Sequence, residues 1–129
     1  MMRAYLDTSA AAKLLQREAE SVALQSFANR DDVDLVSTLL LETELRRFAS
    51  RNTIGQAAVS EVLDGISLYA FEDLDFKAAG LLPGPTLRSL DALHIQSALV
   101  LRADCMVTYD TRLVQVCSEV GLSVAQPST

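Results

Sequence analysis

The sequence predicts an α/β fold: a three-layer α/β/α sandwich built on a central, mostly parallel sheet. Two patterns carry that expectation. Short apolar runs rich in Val and Leu alternate with longer stretches whose apolar residues recur at helical spacing. The strand-like runs are apolar on consecutive residues, as in strands covered on both faces. The length of 129 residues suits a single domain spanning 1–129, with room for a substantial core.

Ala4-Tyr5-Leu6 is the first strand, and it runs into Asp7-Thr8-Ser9, three residue types that cap helices. A helix is expected over 10–16 and a second over 18–29, with Val22, Ala23, Ser26 and Phe27 turned inward. Arg30-Asp31-Asp32 interrupts it before a strand over 33–37. Thr38 or Thr43 caps a helix over 39–50, where Leu41, Leu45 and Phe48 recur at helical spacing. The next helix, 54–64, places Ala57, Ala58, Glu61 and Val62 on one face. A strand over 66–71, a short helix over 73–81 and a Gly-Pro loop over 80–85 follow. Ser89 precedes a helix over 90–103, whose apolar stripe is Ala92, Ile95, Ala98 and Leu99. A strand over 104–108 ends at Tyr109-Asp110, a helix over 113–120 is stopped by Gly121, and 122–125 is the last strand.

Eleven basic against 17 acidic residues leave a net charge of -6. So acidic a chain is poorly suited to sequence-blind polyanion binding, which works by neutralising phosphates. Action on a nucleic acid then needs bound cations, a partner or a few local arginines. Cys105 and Cys117 lie in apolar elements and form no CxxC pair, as expected of buried thiols in a reducing compartment. No apolar signal segment precedes Asp7, and no apolar run approaches the roughly 18 residues that span a bilayer. A cytoplasmic, non-membrane protein is expected.

In parallel sheets of this kind ligands bind beyond the carboxyl ends of the strands, so acids placed there stand out. Asp7 ends the first strand and Asp110 the fourth. Asp91 lies in the first turn of its helix, where the dipole favours a carboxylate, and Glu44 lies in the helix after the second strand. Each has an ordinary reading too: a helix cap for Asp7, a first-turn acid for Asp91, an Asx turn for Asp110, a solvated helix face for Glu44 and its neighbour Glu42. If the four converge, like charges raise one another's pKa. A hard divalent cation, Mg²⁺ or Mn²⁺, relieves that conflict with oxygen ligands and retained water. No His or Cys group with zinc spacing accompanies them. Phosphodiester hydrolysis suits such a site. Asp7-Thr8-Ser9-Ala10-Ala11 lacks the glycines of a dinucleotide-binding turn.

Together these segments resemble the PIN-domain family, and within it the VapC-type toxins of bacterial toxin–antitoxin pairs. Tyr5-Leu6-Asp7-Thr8-Ser9-Ala10 is similar to the family's opening strand, and Thr38-Leu39-Leu40-Leu41-Glu42-Thr43-Glu44-Leu45-Arg46-Arg47 to its second block. Leu87-Arg88-Ser89-Leu90-Asp91-Ala92-Leu93-His94 resembles the third. Val107-Thr108-Tyr109-Asp110-Thr111-Arg112-Leu113, with Gly121-Leu122 beyond it, resembles the fourth. The resemblance covers nearly the whole chain, with the motifs in family order.

It implies a PIN-like fold and a Mg²⁺-dependent endoribonuclease toxin, with Mn²⁺ as a substitute. Such a toxin cleaves cellular RNA, tRNA or rRNA, inhibits translation, and is neutralised by a cognate VapB-type antitoxin. By the same resemblance Asp7, Glu44, Asp91 and Asp110 are the catalytic acids and metal ligands, with Glu42 the alternative to Glu44. Where some relatives carry a further acid this chain has Arg112, suited to phosphate or a partner and not to metal. One ion or two are the alternatives that follow.

Thr8 and Thr108, beside acids at two strand ends, are candidates to hydrogen-bond a carboxylate or a phosphate. Arg46 and Arg88 are candidates to neutralise phosphate. Capping, and a solvated helix face, are the ordinary alternatives. His94 reads as structural, and Lys13 and Arg17 as the edge of an RNA path or of an antitoxin surface. Leu14, Leu15, Leu39, Leu40 and Phe48 exceed what a modest core needs. The resemblance implies that some of them meet a second copy in a homodimer, or an antitoxin segment whose arginine enters the acidic site. A competing reading is a catalytically inactive PIN-like module that binds RNA or protein. A DNA phosphodiesterase would use identical metal chemistry.

Overall fold

The computed structural model describes residues 1–128. Among them, five strands form one parallel sheet: β1 (Met2–Leu6), β2 (Val33–Thr38), β3 (Ser67–Tyr69), β4 (Cys105–Val107) and β5 (Val124–Ala125). The spatial order is β3-β2-β1-β4-β5. The helices are α1 (Thr8–Leu15), α2 (Ser21–Ala28), α3 (Leu39–Arg51), α4 (Gln56–Asp64), α5 (Asp73–Gly80), α6 (Ser89–Val100) and α7 (Thr111–Glu119).

The period of two along a strand sorts side chains between two cores. Ala4, Leu6, Leu35, Cys105 and Val107 face the layer of α1 to α4, where Ala10, Leu24, Leu41, Leu45, Val59 and Leu63 meet them. Tyr5, Val36 and Met106 face the opposite layer, against Ile95 and Ala98 of α6 and Leu113, Val116 and Cys117 of α7. The expected three-layer sandwich is the observed one. The chain lays β2 and β3 on one side of β1, then β4 and β5 on the other. The order therefore reverses between β1 and β4, and a crevice opens at their carboxyl ends.

Several elements differ in detail from expectation. Helix α2 starts at Ser21 because the Ser21 hydroxyl accepts the Glu18 N–H at 2.8 Å and donates to the Lys13 carbonyl at 2.7 Å. Its buried residue is Leu24, while Val22 and Ser26 are exposed. In α4 the larger aliphatics decide the inward face: Val59 and Leu63 are buried, and Ala57, Ala58 and Glu61 are exposed. The two edge strands, β3 and β5, are shorter than their apolar runs. Helix α6 ends at Val100, where Arg102 adopts a φ of 54°. The loop into α6 passes α7 at Gly84, whose φ is 102° and whose Cβ, if present, would lie 2.8 Å from Val116 Cγ2. Only glycine satisfies both conditions.

The apolar surplus expected at Leu14, Leu15 and Phe48 is largely used internally, since all three are half-buried. Leu40 is half-buried too and Leu39 is exposed, as expected of part of that surplus, and further large exposed apolar side chains sit on and after α5, at Leu74, Phe76 and Leu81. Cys105 and Cys117 are buried free thiols, and burial pushes Cys117 up to about 11. Among the described residues no helix is long and apolar enough to cross a membrane.

Leu45 is fully buried on α3, one residue beyond Glu44. Leu45→Ala is expected to cost about 2–5 kcal/mol in urea denaturation, as deletion of a packed aliphatic does. A loss below about 1 kcal/mol would mean that α3 is not seated on the sheet as described.

Candidate active site

Asp7 follows β1 directly and is 2% exposed. Its Oδ1 caps α1, accepting the Ala10 N–H at 3.0 Å and the Ser9 hydroxyl at 2.8 Å. Its Oδ2 accepts the Thr108 hydroxyl, and Thr108 Oγ1 in turn accepts the Asp110 N–H at 3.1 Å. Ser9 Oγ accepts the Tyr109 N–H at 3.0 Å. These bonds lace the end of β1 to the end of β4. Burial pushes the Asp7 carboxyl up, and the donors Thr108, Ala10 and Ser9 offset only part of that rise.

Glu44 reaches the same edge from α3. Its Oε1 accepts the Thr8 hydroxyl at 2.7 Å and lies 2.6 Å from His94 Nε2. The other ring nitrogen, Nδ1, lies 2.8 Å from the Tyr5 hydroxyl. Burial pushes the Tyr5 phenol up to about 12, so it keeps its proton. A Tyr5 hydroxyl that donates to Nδ1 leaves Nε2 as the N–H that faces Glu44. Burial alone would raise the Glu44 carboxyl, but His94 and Thr8 outweigh it and hold Glu44 below its ordinary value.

Glu44, Asp91 and Asp110 line one open crevice of about 290 Å³, together with Arg88, Ser89, Leu90 and Arg112. Burial pushes the Asp91 carboxyl up, and the charges of Asp110 and Glu44 push it further against the pull of His94 and Arg112. Asp110 caps α7, its Oδ1 accepting the Arg112 N–H at 2.9 Å, and Arg112 Nε stands 3.6 Å from the same oxygen.

Three of the four sequence-picked acids thus share a crevice, and Asp7 lies sealed beside it instead of lining it. Thr8 and Thr108 each hydrogen-bond one of the acids. Arg88 and Arg112 line the crevice. Arg46 does not, which corrects the expectation for it. Its guanidinium bonds Glu42 at 3.0 Å and Gln56 and Ser60 at 3.1 Å each, so it ties α3 to α4. Glu42 is occupied there, while Glu44 faces the crevice. Ser9, read as a helix cap, Tyr5, read as a strand residue, and His94, read as structural, prove to hydrogen-bond the acids or their partners. Ser9 had a visible signal, a hydroxyl two residues after a capping acid. For His94 the spacing from Asp91 indicated the face, but not that the ring would meet Glu44 from another helix.

Among the described residues no three acid, His or Cys side chains are gathered closely enough to enclose a metal ion. The acidic donors that face the crevice are nonetheless all carboxylates, the set a hard divalent cation prefers. Repulsion that raises Asp91 is also what such a cation would relieve.

The PIN domain profile matches residues 4–119. The chain belongs to the PIN-domain family. This PIN domain is 34% identical over 129 residues to Ribonuclease VapC35 of Mycobacterium tuberculosis, covering 95% of this chain and 96% of that one. It is 33% identical over 132 residues to Ribonuclease VapC46 of the same species, covering 99% and 100%. These relatives place it among the VapC-type members of the family. Several solved structures share its fold. VapBC2 from Rickettsia felis, bound to a DNA fragment from its promoter, gives a TM-score of 0.75 at 16% identity, covering 96% of this chain and 98% of the other. VapC20 of Mycobacterium tuberculosis, described as a sarcin–ricin loop cleaving toxin, gives 0.73 at 17% identity, covering 96% and 99%.

Two outcomes follow from the geometry of this PIN domain. A carboxyl with a raised folded pKa keeps its proton longer in the folded than in the unfolded chain. Its contribution to stability therefore falls as pH rises from the ordinary carboxylate value through the raised one. Asp7→Asn removes that loss, so in metal-free buffer its stability relative to the parent should grow with pH across this window. Urea denaturation at a series of pH values reads the difference, and a flat difference would contradict a raised Asp7. Separately, a double-mutant cycle of Glu44→Ala and His94→Ala should give a coupling of about 0.5–3 kcal/mol. Additive losses would mean that the 2.6 Å contact contributes nothing in solution.

Proposed function

We propose that this PIN domain is a divalent-metal-dependent endoribonuclease, a VapC-type toxin that cleaves tRNA or rRNA and is neutralised by a cognate VapB-type antitoxin. The observation that supports this most is the crevice in which Glu44, Asp91 and Asp110 meet between Arg88 and Arg112. Asp91, Asp110 and the second oxygen of Glu44 would hold Mg²⁺, or Mn²⁺ in its place. Asp7 would add a fourth carboxylate only if it gave up its hydrogen bond from Thr108. When bound, the cation supplies Lewis acidity and a more acidic coordinated water.

The chain's own groups do the rest. Arg88 and Arg112 meet phosphate oxygens. Glu44, held ionised by His94 and Thr8, orients water. Thr108 and Ser9 fix Asp7. The exposed apolar side chains of α5 and the turn after it offer a face for a second copy of the chain, in keeping with a homodimer inside a larger toxin–antitoxin complex.

A catalytically inactive PIN-like module is the second reading. It is favoured by the sealed Asp7 carboxylate and by the lack, among the described residues, of an enclosing acid cluster.

Antitoxin-free protein should cut total cellular RNA into discrete fragments with Mg²⁺ or Mn²⁺ and not with chelator. Asp91→Asn should slow cleavage on the order of 100-fold or more, as loss of a group that organises a metal site does. If the parent is inert with metal present and calorimetry detects no cation binding, the inactive module is the correct reading.

A further inference from the structure

We propose that Arg47 and Arg51 form a track for the backbone phosphates of a single-stranded RNA segment, running away from the acidic crevice along α3. This rests on the ribonuclease reading above and adds where the substrate lies. Leu40, Glu44, Arg47 and Arg51 fall at i, i+4, i+7 and i+11, one stripe of the helix. With Thr8, Thr43 and Leu90 they line a groove of about 430 Å³. That groove shares Glu44 and Leu90 with the acidic crevice, so the two adjoin.

Arg47 and Arg51 are exposed and form no ion pair among the described residues. Arg46, on the other face, is spent on Glu42 and α4. In a chain of net charge -6, two free guanidiniums beside an acidic crevice make a local region of opposite sign. At about 1.5 Å of rise per residue, Arg47 lies roughly 4.5 Å and Arg51 roughly 10.5 Å beyond Glu44 along the axis. A stacked strand advances about 3.4 Å per nucleotide, so the two reach the first to third phosphates beyond the crevice. Leu40 and Leu90 supply apolar surface against which a base can lie. Arg88 and Arg112 stand at the acidic crevice itself, which gives the strand cations at both ends of its path over the acids.

The test uses a 12-nucleotide single-stranded RNA of mixed sequence, with Kd measured against salt in chelator, and cleavage of total RNA in Mg²⁺. Arg47→Ala/Arg51→Ala should flatten the slope of log Kd against log salt by about 1.4, at about 0.7 per lost phosphate contact on a single strand. Its kcat/KM should fall mainly through KM. Arg47→Lys/Arg51→Lys should keep most of the slope, and Arg46→Ala should leave it unchanged. An unaltered slope in the double alanine variant, with the parent active, overturns the track alone. If that variant instead loses only its association with the antitoxin, the groove serves a peptide and the proposal is wrong. A parent that neither binds nor cuts RNA removes both the track and the ribonuclease reading.

Discussion

A carboxylate buried at the end of the central strand constrains everything around it. Burying an acid without partners is expensive, so the surroundings of Asp7 must present donors. The chain supplies the Ala10 N–H by starting a helix there, the Ser9 hydroxyl two residues on, and the Thr108 hydroxyl from β4. The first two fix how α1 leaves the sheet. The third joins the two strand ends between which the sheet order reverses. Because Thr108 also receives the Asp110 N–H, the position of Asp110 is set by the same hydroxyl that satisfies Asp7. One buried carboxyl thus organises the rim of the crevice without lining it.

Helix α3 then divides labour between its faces. One face ends in Glu44, locked from two sides by Thr8 and by the His94–Tyr5 pair. The adjoining face turns Glu42 and Arg46 toward α4, where they hold the helix in place. A shift that rotated α3 by about half a turn would be needed to exchange these roles. Leu41, Leu45 and Ala49, all buried against the sheet, prevent that shift. Core packing therefore chooses which acid of the pair reaches the crevice, and no electrostatic preference between Glu42 and Glu44 is needed.

This is also why some features were legible in the sequence and others were not. Strands announced themselves because a doubly covered sheet demands consecutive apolar residues, as in Ala4-Tyr5-Leu6 and in Cys105-Met106-Val107. Acids at strand ends stood out because parallel sheets gather ligands there. Helical phase was harder. In α4 several small apolar residues competed, and the sequence could not show that Val59 and Leu63 would outweigh Ala57 and Ala58. The same ambiguity made Arg46 look like a candidate at the crevice, although its neighbour Arg47 lies on the open side. His94 was invisible as a partner of Glu44 because that contact joins residues 50 positions apart.

The charge balance at the crevice follows from Arg112. Asp91 is raised by burial and by the charges of Asp110 and Glu44, so it carries the strain of their proximity. Arg112 stands 3.6 Å from Asp110 Oδ1, at a position where an additional acid would have sharpened the repulsion. Half-exposed, that arginine is screened, and it softens the conflict without abolishing it. It is also tethered to the rim, so it meets Asp110 from one side and leaves the crevice open. A mobile divalent cation differs on both counts, since it carries twice the charge and can sit among the carboxylates instead of beside them. The arrangement is therefore one in which Arg112 and His94 offset part of the repulsion among the acids, and Asp91 stays raised by burial and by Asp110.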